Sequence, residues 1–331
     1  MSRKYAFALA LSLLSGLLLL LGMAVGSTGF DSLLQTQHDP VAWQIVLEIR
    51  LPRTLGAWAA GALLGLAGAL AQGLFRNPLA DPYLLGSAAG AALGVALALA
   101  FLGVSPFVGH WLVRLGLTGA AFVGAVGAVL LTLILARGVQ HTLRLLLAGV
   151  VVGVVLGAVT SLTMLFIPEV LQAMQAFMLG STGFVGWTAC WVMLSVWALC
   201  MGASGFLGRA LDGISLGEST AASLGLPLTP LRAALVLVLA LATGTAVAQT
   251  GLIAFVGLAA PHLVRSVVKS THVPLIFLSS LMGGALLIAA DNLARWLIAP
   301  QELPVGVLTA VLGGGYLLWL MHRQNAQGDK A

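Results

Sequence analysis

Charge is what this sequence has least of. Asp, Glu, Lys and Arg make up 8% of its 331 residues, where soluble domains carry about a quarter. Hydrophobic residues make up 60%, more apolar surface than a soluble fold can hide. The only lysines are Lys4, Lys269 and Lys330, preceded by Arg3, Val268 and Asp329. A Walker loop needs Gly-Lys-Ser/Thr, so the chain cannot hold ATP in that way. The two cysteines, Cys190 and Cys200, stand ten apart in one apolar block. That is about 15 Å along a helix, too far for a disulfide, and the spacing suits no metal. Both read as packing residues. Period-two alternation is also missing, which removes a membrane β-barrel and leaves helices as the way to satisfy the backbone in lipid.

What is present is a series of apolar blocks near the ~20 residues a bilayer crossing needs. The fold is expected to be all-α and polytopic, one transmembrane domain over 1–331. Ten helices are predicted, over 5–26, 52–75, 84–103, 112–136, 143–166, 187–207, 231–250, 252–268, 274–297 and 305–322. The seventh and eighth form one apolar stretch broken only by Gln249-Thr250-Gly251. The N-terminal run from Tyr5 to Gly26 exceeds the 7–15 apolar residues of a signal peptide and is taken as the first membrane helix. Ten crossings put both termini on one side. With that side cytoplasmic, the inner segments hold eleven of the fifteen Lys and Arg, and the outer segments hold Arg50, Arg53, Arg114 and Arg295. The positive-inside rule supports this orientation. It also accounts for the net charge of +5 without nucleic acid as a partner.

Glycines recur at four-residue spacing, as Gly61/Gly65, Gly86/Gly90/Gly94 and Gly149/Gly153/Gly157, the pattern of close helix packing in membranes. The central parts of the ten helices are read as free of Asp, Glu, His and Arg, which argues against an ion-coupled transporter or a channel. Asp291 and Arg295, spaced i,i+4 near an outer helix end, read as a mutual ion pair. Energy must then come from another chain, which needs a docking surface. The segment from Ser215 to Pro227 offers one: Ser215 and Glu218 have the spacing of a capping box, and Gly225 followed by Pro227 ends the helix. Met164, Met174 and Met178 read as gap fillers in apolar packing, and Glu169 as a loop residue facing solvent or capping.

Five motifs carry a resemblance that runs in order along nearly the whole chain. They are Arg50-Leu51-Pro52-Arg53-Thr54-Leu55 with Gln72-Gly73-Leu74-Phe75-Arg76-Asn77-Pro78-Leu79-Ala80-Asp81-Pro82, then Arg144 to Val150, Leu216-Gly217-Glu218 with Leu224 to Pro227, Gly257 to His262, and Glu302-Leu303-Pro304-Val305-Gly306. The sequence resembles the permeases of iron-siderophore, haem and vitamin B12 importers, the type II ABC importers. The resemblance implies a homodimer in the bacterial inner membrane, two cytoplasmic ATPase subunits that carry ATP-Mg, and a periplasmic binding protein above. It implies no catalytic residue, metal or cofactor on this chain. The overall likeness favours haem as cargo, with ferric siderophore or cobalamin as alternatives, and no residue chooses among them.

Site residues follow from the same resemblance. Ser215, Gly217, Glu218, Leu224 and Gly225 would couple to the ATPase. Arg50, Arg53 and Arg295 would meet acidic groups on the binding protein, although arginines at a membrane edge also snorkel to headgroups. Asn77, Leu79, His141 and Thr142 would narrow the cytoplasmic exit, with His141 bulkier than the small hydroxyl residue expected in the B12 branch.

Overall fold

The computed structural model describes residues 3–26, 29–30, 39–102, 111–136 and 142–328. Among them, seven helices are long and apolar enough to cross a membrane, and two shorter apolar helices lie at Ser87–Phe101 and Val305–Trp319. Helix α1 (Arg3–Ala24) turns Leu9, Leu13, Leu17 and Leu20 outward and buries Leu11. A two-residue antiparallel pair follows, β1 (Val25–Gly26) with β2 (Gly29–Phe30), Val25 opposite Phe30. Nothing in the apolar pattern foretold it.

The second membrane helix begins earlier than the expected residue 52. Asp39 caps α2 (Pro40–Ile45), its carboxylate accepting from the amides of Val41 (2.9 Å) and Ala42 (3.3 Å). A wide π turn (Val46–Arg50) leads directly into α3 (Leu51–Leu74). The wide turn lies just before Pro52, whose ring would clash with the Glu48 carbonyl in a regular α-helix. Proline therefore bends the helical path without ending it. Arg50 and Arg53 sit inside a 35-residue helix rather than at its start.

Helix α3 is buried at every position from Ala59 to Leu74. A helix apolar all round belongs in the middle of a protein, and α3 is flanked by α8 (Trp187–Ser215), α10 (Leu228–Thr250), α11 (Val256–Val267) and α12 (His272–Trp296). Its tightest neighbour is α12. A Cβ on Gly61 would land on the Gly283 carbonyl, one on Gly65 on the Ser279 carbonyl, and one on Gly283 on the Gly61 carbonyl. The expected glycine packing is thus a backbone-to-backbone seam. A second seam joins α4 (Ser87–Leu102) to α5 (Trp111–Leu135) through Gly90, Gly94 and Gly124. The third stripe differs: Gly149 of α6 (Thr142–Phe166) abuts the Leu84 carbonyl, but a Cβ on Gly153 or Gly157 would meet nothing among the described residues.

The predicted break between the seventh and eighth helices is real and longer than expected. Gly251 and Phe255 both have positive φ (69° and 68°), and α11 starts at Val256 rather than 252. A helix absent from the sequence reading, α7 (Pro168–Leu179), opens with proline at its first turn and contains Glu169, Met174 and Met178. Met174 is fully buried in an apolar cluster with Val170 and Ala173, as a gap filler should be. The end of α7 locks onto the 251–255 break: the Ser181 amide donates to the Thr250 carbonyl (2.8 Å) and the Leu252 amide to Phe177 (3.1 Å). Gly306, in the first turn of α13 (Val305–Gly328), donates to Gly180 (3.2 Å). Cys190 and Cys200 are free and buried.

Candidate functional site

The outer arginines form a cluster whose first task is internal. A helix leaves its last carbonyls without partners, and those of α1 are satisfied by two guanidinium groups. Arg295 donates to Gly22 (2.8 Å) and Val25 (3.0 Å), and Arg50 reaches Met23 (3.3 Å) and Ala24 (3.4 Å). Cations at a helix C-terminus also complement its dipole. Arg295 pairs with Asp291 at 2.7 Å, as its i,i+4 spacing predicted, and donates to Thr54 Oγ1 (3.2 Å) and Asn292 Oδ1 (2.6 Å). It is 1% exposed. That is a correction: Arg295 has every donor turned inward, so it cannot offer a partner the contact expected of it.

Arg53 completes the cluster. It shares Asp291 with Arg295, at 3.1 Å through Nη2, and its Nη1 bonds both oxygens of Glu302 at 2.9 and 3.1 Å. Thr182 donates its hydroxyl to the same Asp291. Arg53 and Arg295 are therefore matched by two carboxylates, where the sequence suggested a bare positive rim. Sequence reasoning missed Glu302 and Thr182 because they lie 249 and 109 residues from the groups they bond. The one signal available was Glu302 opening a motif already noticed.

At the opposite ends of α3 and α12 lies the predicted coupling segment. The capping box does not form. Ser215 is the last residue of α8 and donates its hydroxyl to the Asp212 carbonyl (2.6 Å). The short helix α9 (Glu218–Ser223) starts one turn later, with Gly217 as its cap residue at φ 110° and no side-chain cap bond. At under two turns it is shorter than expected. Its C-terminus is as predicted: Gly225 at φ 75° lets its own amide reach Ala222 (3.0 Å) and the Leu226 amide reach Ala221 (3.2 Å), the paired bonds of a Schellman ending. Ala221 is buried, while Leu216 and Leu224 are 64% and 63% exposed.

A second bond fixes this end. Asp212 of α8 accepts from the backbone amide of His272 (2.9 Å) and contacts its Nδ1 (2.6 Å). Thr271, the residue before α12, makes no side-chain cap bond. Asp212 therefore caps α12 from a different helix. This pair also escaped sequence reasoning, which does not see partners 60 residues apart.

The exit residues are reached in part. Asn77 and Leu79 lie on an exposed turn after α3, the Asn77 side chain accepting from the Leu79 amide (2.9 Å). His141 lies outside the described residues, and Thr142 opens α6. Beside the turn, Asp81 caps a 3-10 turn (Pro82–Leu85) by accepting from the Tyr83 amide (2.8 Å). Burial raises its pKa, opposed in part by that bond. The reading of uncharged helix centres needs one correction: His262 lies midway along α11, its ring edge-on to Tyr316 at 5.9 Å. A cavity of about 830 Å³ between α4, α5, α7, α8 and α10 is lined mainly by apolar side chains such as Leu99, Phe122 and Trp187, and by none of the predicted site residues.

A buried central helix, antiparallel glycine seams and charges confined largely to helix ends define a polytopic membrane permease. Residues 8–323 match the FecCD transport family. The chain belongs to that family, the permease subunits of iron-siderophore, haem and vitamin B12 ABC importers. It is 37% identical over 323 residues to the hemin transport system permease protein HmuU of Yersinia pestis, covering 94% of this chain and 95% of that one. It is also 37% identical over 304 residues to the vitamin B12 import system permease protein BtuC of Salmonella typhi, covering 88% and 87%. Among solved structures, a metal-chelate type ABC transporter in an inward-facing conformation superposes with a TM-score of 0.85 at 29% identity, over 95% of this chain and 98% of the other. PsaBC from Streptococcus pneumoniae shares the fold with a TM-score of 0.60 at 18% identity, over 87% of this chain and 94% of the other.

Proposed function

We propose that this chain is the haem-moving permease of an ATP-driven importer in the bacterial inner membrane. Two copies would form the pathway, with ten crossings each and both termini cytoplasmic. Two ATPase subunits would bind below at Leu216–Gly225, and an acidic periplasmic binding protein above, at Arg53 with Arg50 beside it. The observation that carries the reading is the full-length similarity to a hemin permease. The exposed leucines flanking the glycine-bounded α9 support the ATPase contact. Asn77, Leu79, His141 and Thr142 would form the exit constriction, and ATP-Mg would sit on the partner subunits.

The test is reconstitution in proteoliposomes with the ATPase and binding protein of the same system. Haem should enter only with ATP, and the isolated chain should hydrolyse none. ATP-driven entry of cobalamin or a ferric siderophore in place of haem would overturn the cargo assignment. ATP turnover by the pure chain would overturn the division of labour.

A further inference from the structure

Arg53 holds two carboxylates of very different standing. Asp291 is fully buried, also pairs with Arg295, and is locked by Thr182. Glu302 is 31% exposed on its side chain and bonds Arg53 through a single guanidinium nitrogen, Nη1. Only the second bond can be exchanged without opening the protein. We infer that Glu302 is an internal stand-in for a partner's carboxylate, so that docking of an acidic protein proceeds by displacing Glu302 from Arg53. The inference rests on the docking role proposed for Arg53.

Two consequences follow from the geometry. The first is specificity. Because Arg53 and Arg295 are already matched by Asp291 and Glu302, a neutral or weakly acidic surface gains little from them. A partner must place a carboxylate that competes with a charge-assisted contact already made. The second is transmission. Glu302 lies three residues before α13, on a loop otherwise held by the Leu303 amide on Ala294 (3.0 Å) and the Gly306 amide on Gly180 (3.2 Å). Losing Arg53 detaches that loop from α3 and leaves the amide bonds to α12 and the end of α7 to hold it without that anchor, so they open more often. Docking would thereby change what holds the start of α13, with no rearrangement of the buried part of the cluster.

The experiment measures association of this importer's purified binding protein with the permease in lipid nanodiscs, at low and high salt, for wild type, Arg53→Glu and Glu302→Gln. Removing the internal competitor should raise the association rate about threefold or more at low salt, with the gain shrinking as salt screens the rim. Arg53→Glu should slow it. If Arg53→Glu slows association but Glu302→Gln leaves it unchanged or slower, the exchange is wrong and the docking role stands. If Arg53→Glu has no effect, the docking role fails and the exchange with it. Hydrogen exchange on the wild-type complex gives an independent arm, free of folding effects. Protection of residues 299–306 should fall on docking, and unchanged protection in the docked complex would overturn the proposal.

Discussion

Replacing Arg295 with methionine separates a structural arginine from a docking one. The residue is 1% exposed, and its side chain bonds Asp291, Asn292, Thr54 and the carbonyls of Gly22 and Val25. Methionine fills similar length with no donor. Removing one partner of a buried ion pair costs about 3–5 kcal/mol, because the other charge is left behind. Asp291 retains Arg53, which moves the ion-pair cost to the low end, but the freed carbonyls at the end of α1 each add about 1–3 kcal/mol if water does not reach them. An overall loss of about 5 kcal/mol is expected. At roughly 2 °C per kcal/mol for a chain this long, the thermal midpoint in detergent should fall by roughly 10 °C. The assay is a fluorescence-detected size-exclusion melt, with binding-protein association measured on the material that stays folded. Arg295→Lys should recover part of the midpoint, since it keeps the charge and loses the fork. A wild-type midpoint for Arg295→Met, or a normal midpoint with a large fall in association rate, would refute the inward-facing role of Arg295.

Other consequences are equally open to measurement. Gly225→Ala places a side chain at φ 75° and should cost about 1 kcal/mol locally; ATPase co-purification should weaken while the melt of the membrane helices is unchanged. Asp212→Ala removes the cap of α12, worth about 1 kcal/mol, and should lower transport per ATP hydrolysed, with Asp212→Asn largely restoring it because an amide oxygen still accepts from the His272 amide. Asp81 has a pKa raised by burial, so its ionised form opposes folding above that pKa, and the penalty fades as pH falls toward the unfolded value of about 3.9. Asp81→Asn keeps the bond to the Tyr83 amide and should therefore raise the thermal midpoint at neutral pH, with the difference vanishing near pH 4; an unchanged midpoint at pH 7 would count against it.

Much of this architecture could be read along the chain because it depends on near neighbours in sequence. The apolar blocks, the i,i+4 pair of Asp291 and Arg295, and Gly225 as a helix end are all local patterns, and each is present. The glycine spacing announced close packing but not its direction, so nothing distinguished Gly65, buried on Ser279, from Gly157, where a Cβ would meet nothing among the described residues. Pro52 misled because proline usually starts or breaks a helix, and a π turn absorbed it instead. The capping box failed for a comparable reason: α8 continued through Ser215 and used its hydroxyl within its own last turn. What escaped entirely was distant pairing. A surplus of outer arginine was legible, but Glu302, and the carbonyls at the end of α1, come from the far ends of the chain.

The seam between α3 and α12 bears on how such a protein can move. With Gly61 and Gly65 seated on the carbonyls of Gly283 and Ser279, and the Trp58 ring against Gly284, the two backbones touch directly at the glycines. Sliding by even one residue would drive a Cβ or a larger group into a carbonyl, so the two helices must travel as a single keel about 37 Å long, at ~1.5 Å per residue. One end of that keel carries the arginine cluster and the other is capped by Asp212, beside the exposed turn of α9. A push at the rim therefore arrives at the far side as tilt rather than as a chain of small repackings. Outside the keel stand the helices with bare faces, such as α6 and α13, where Val151, Val154, Val311 and Leu318 are exposed.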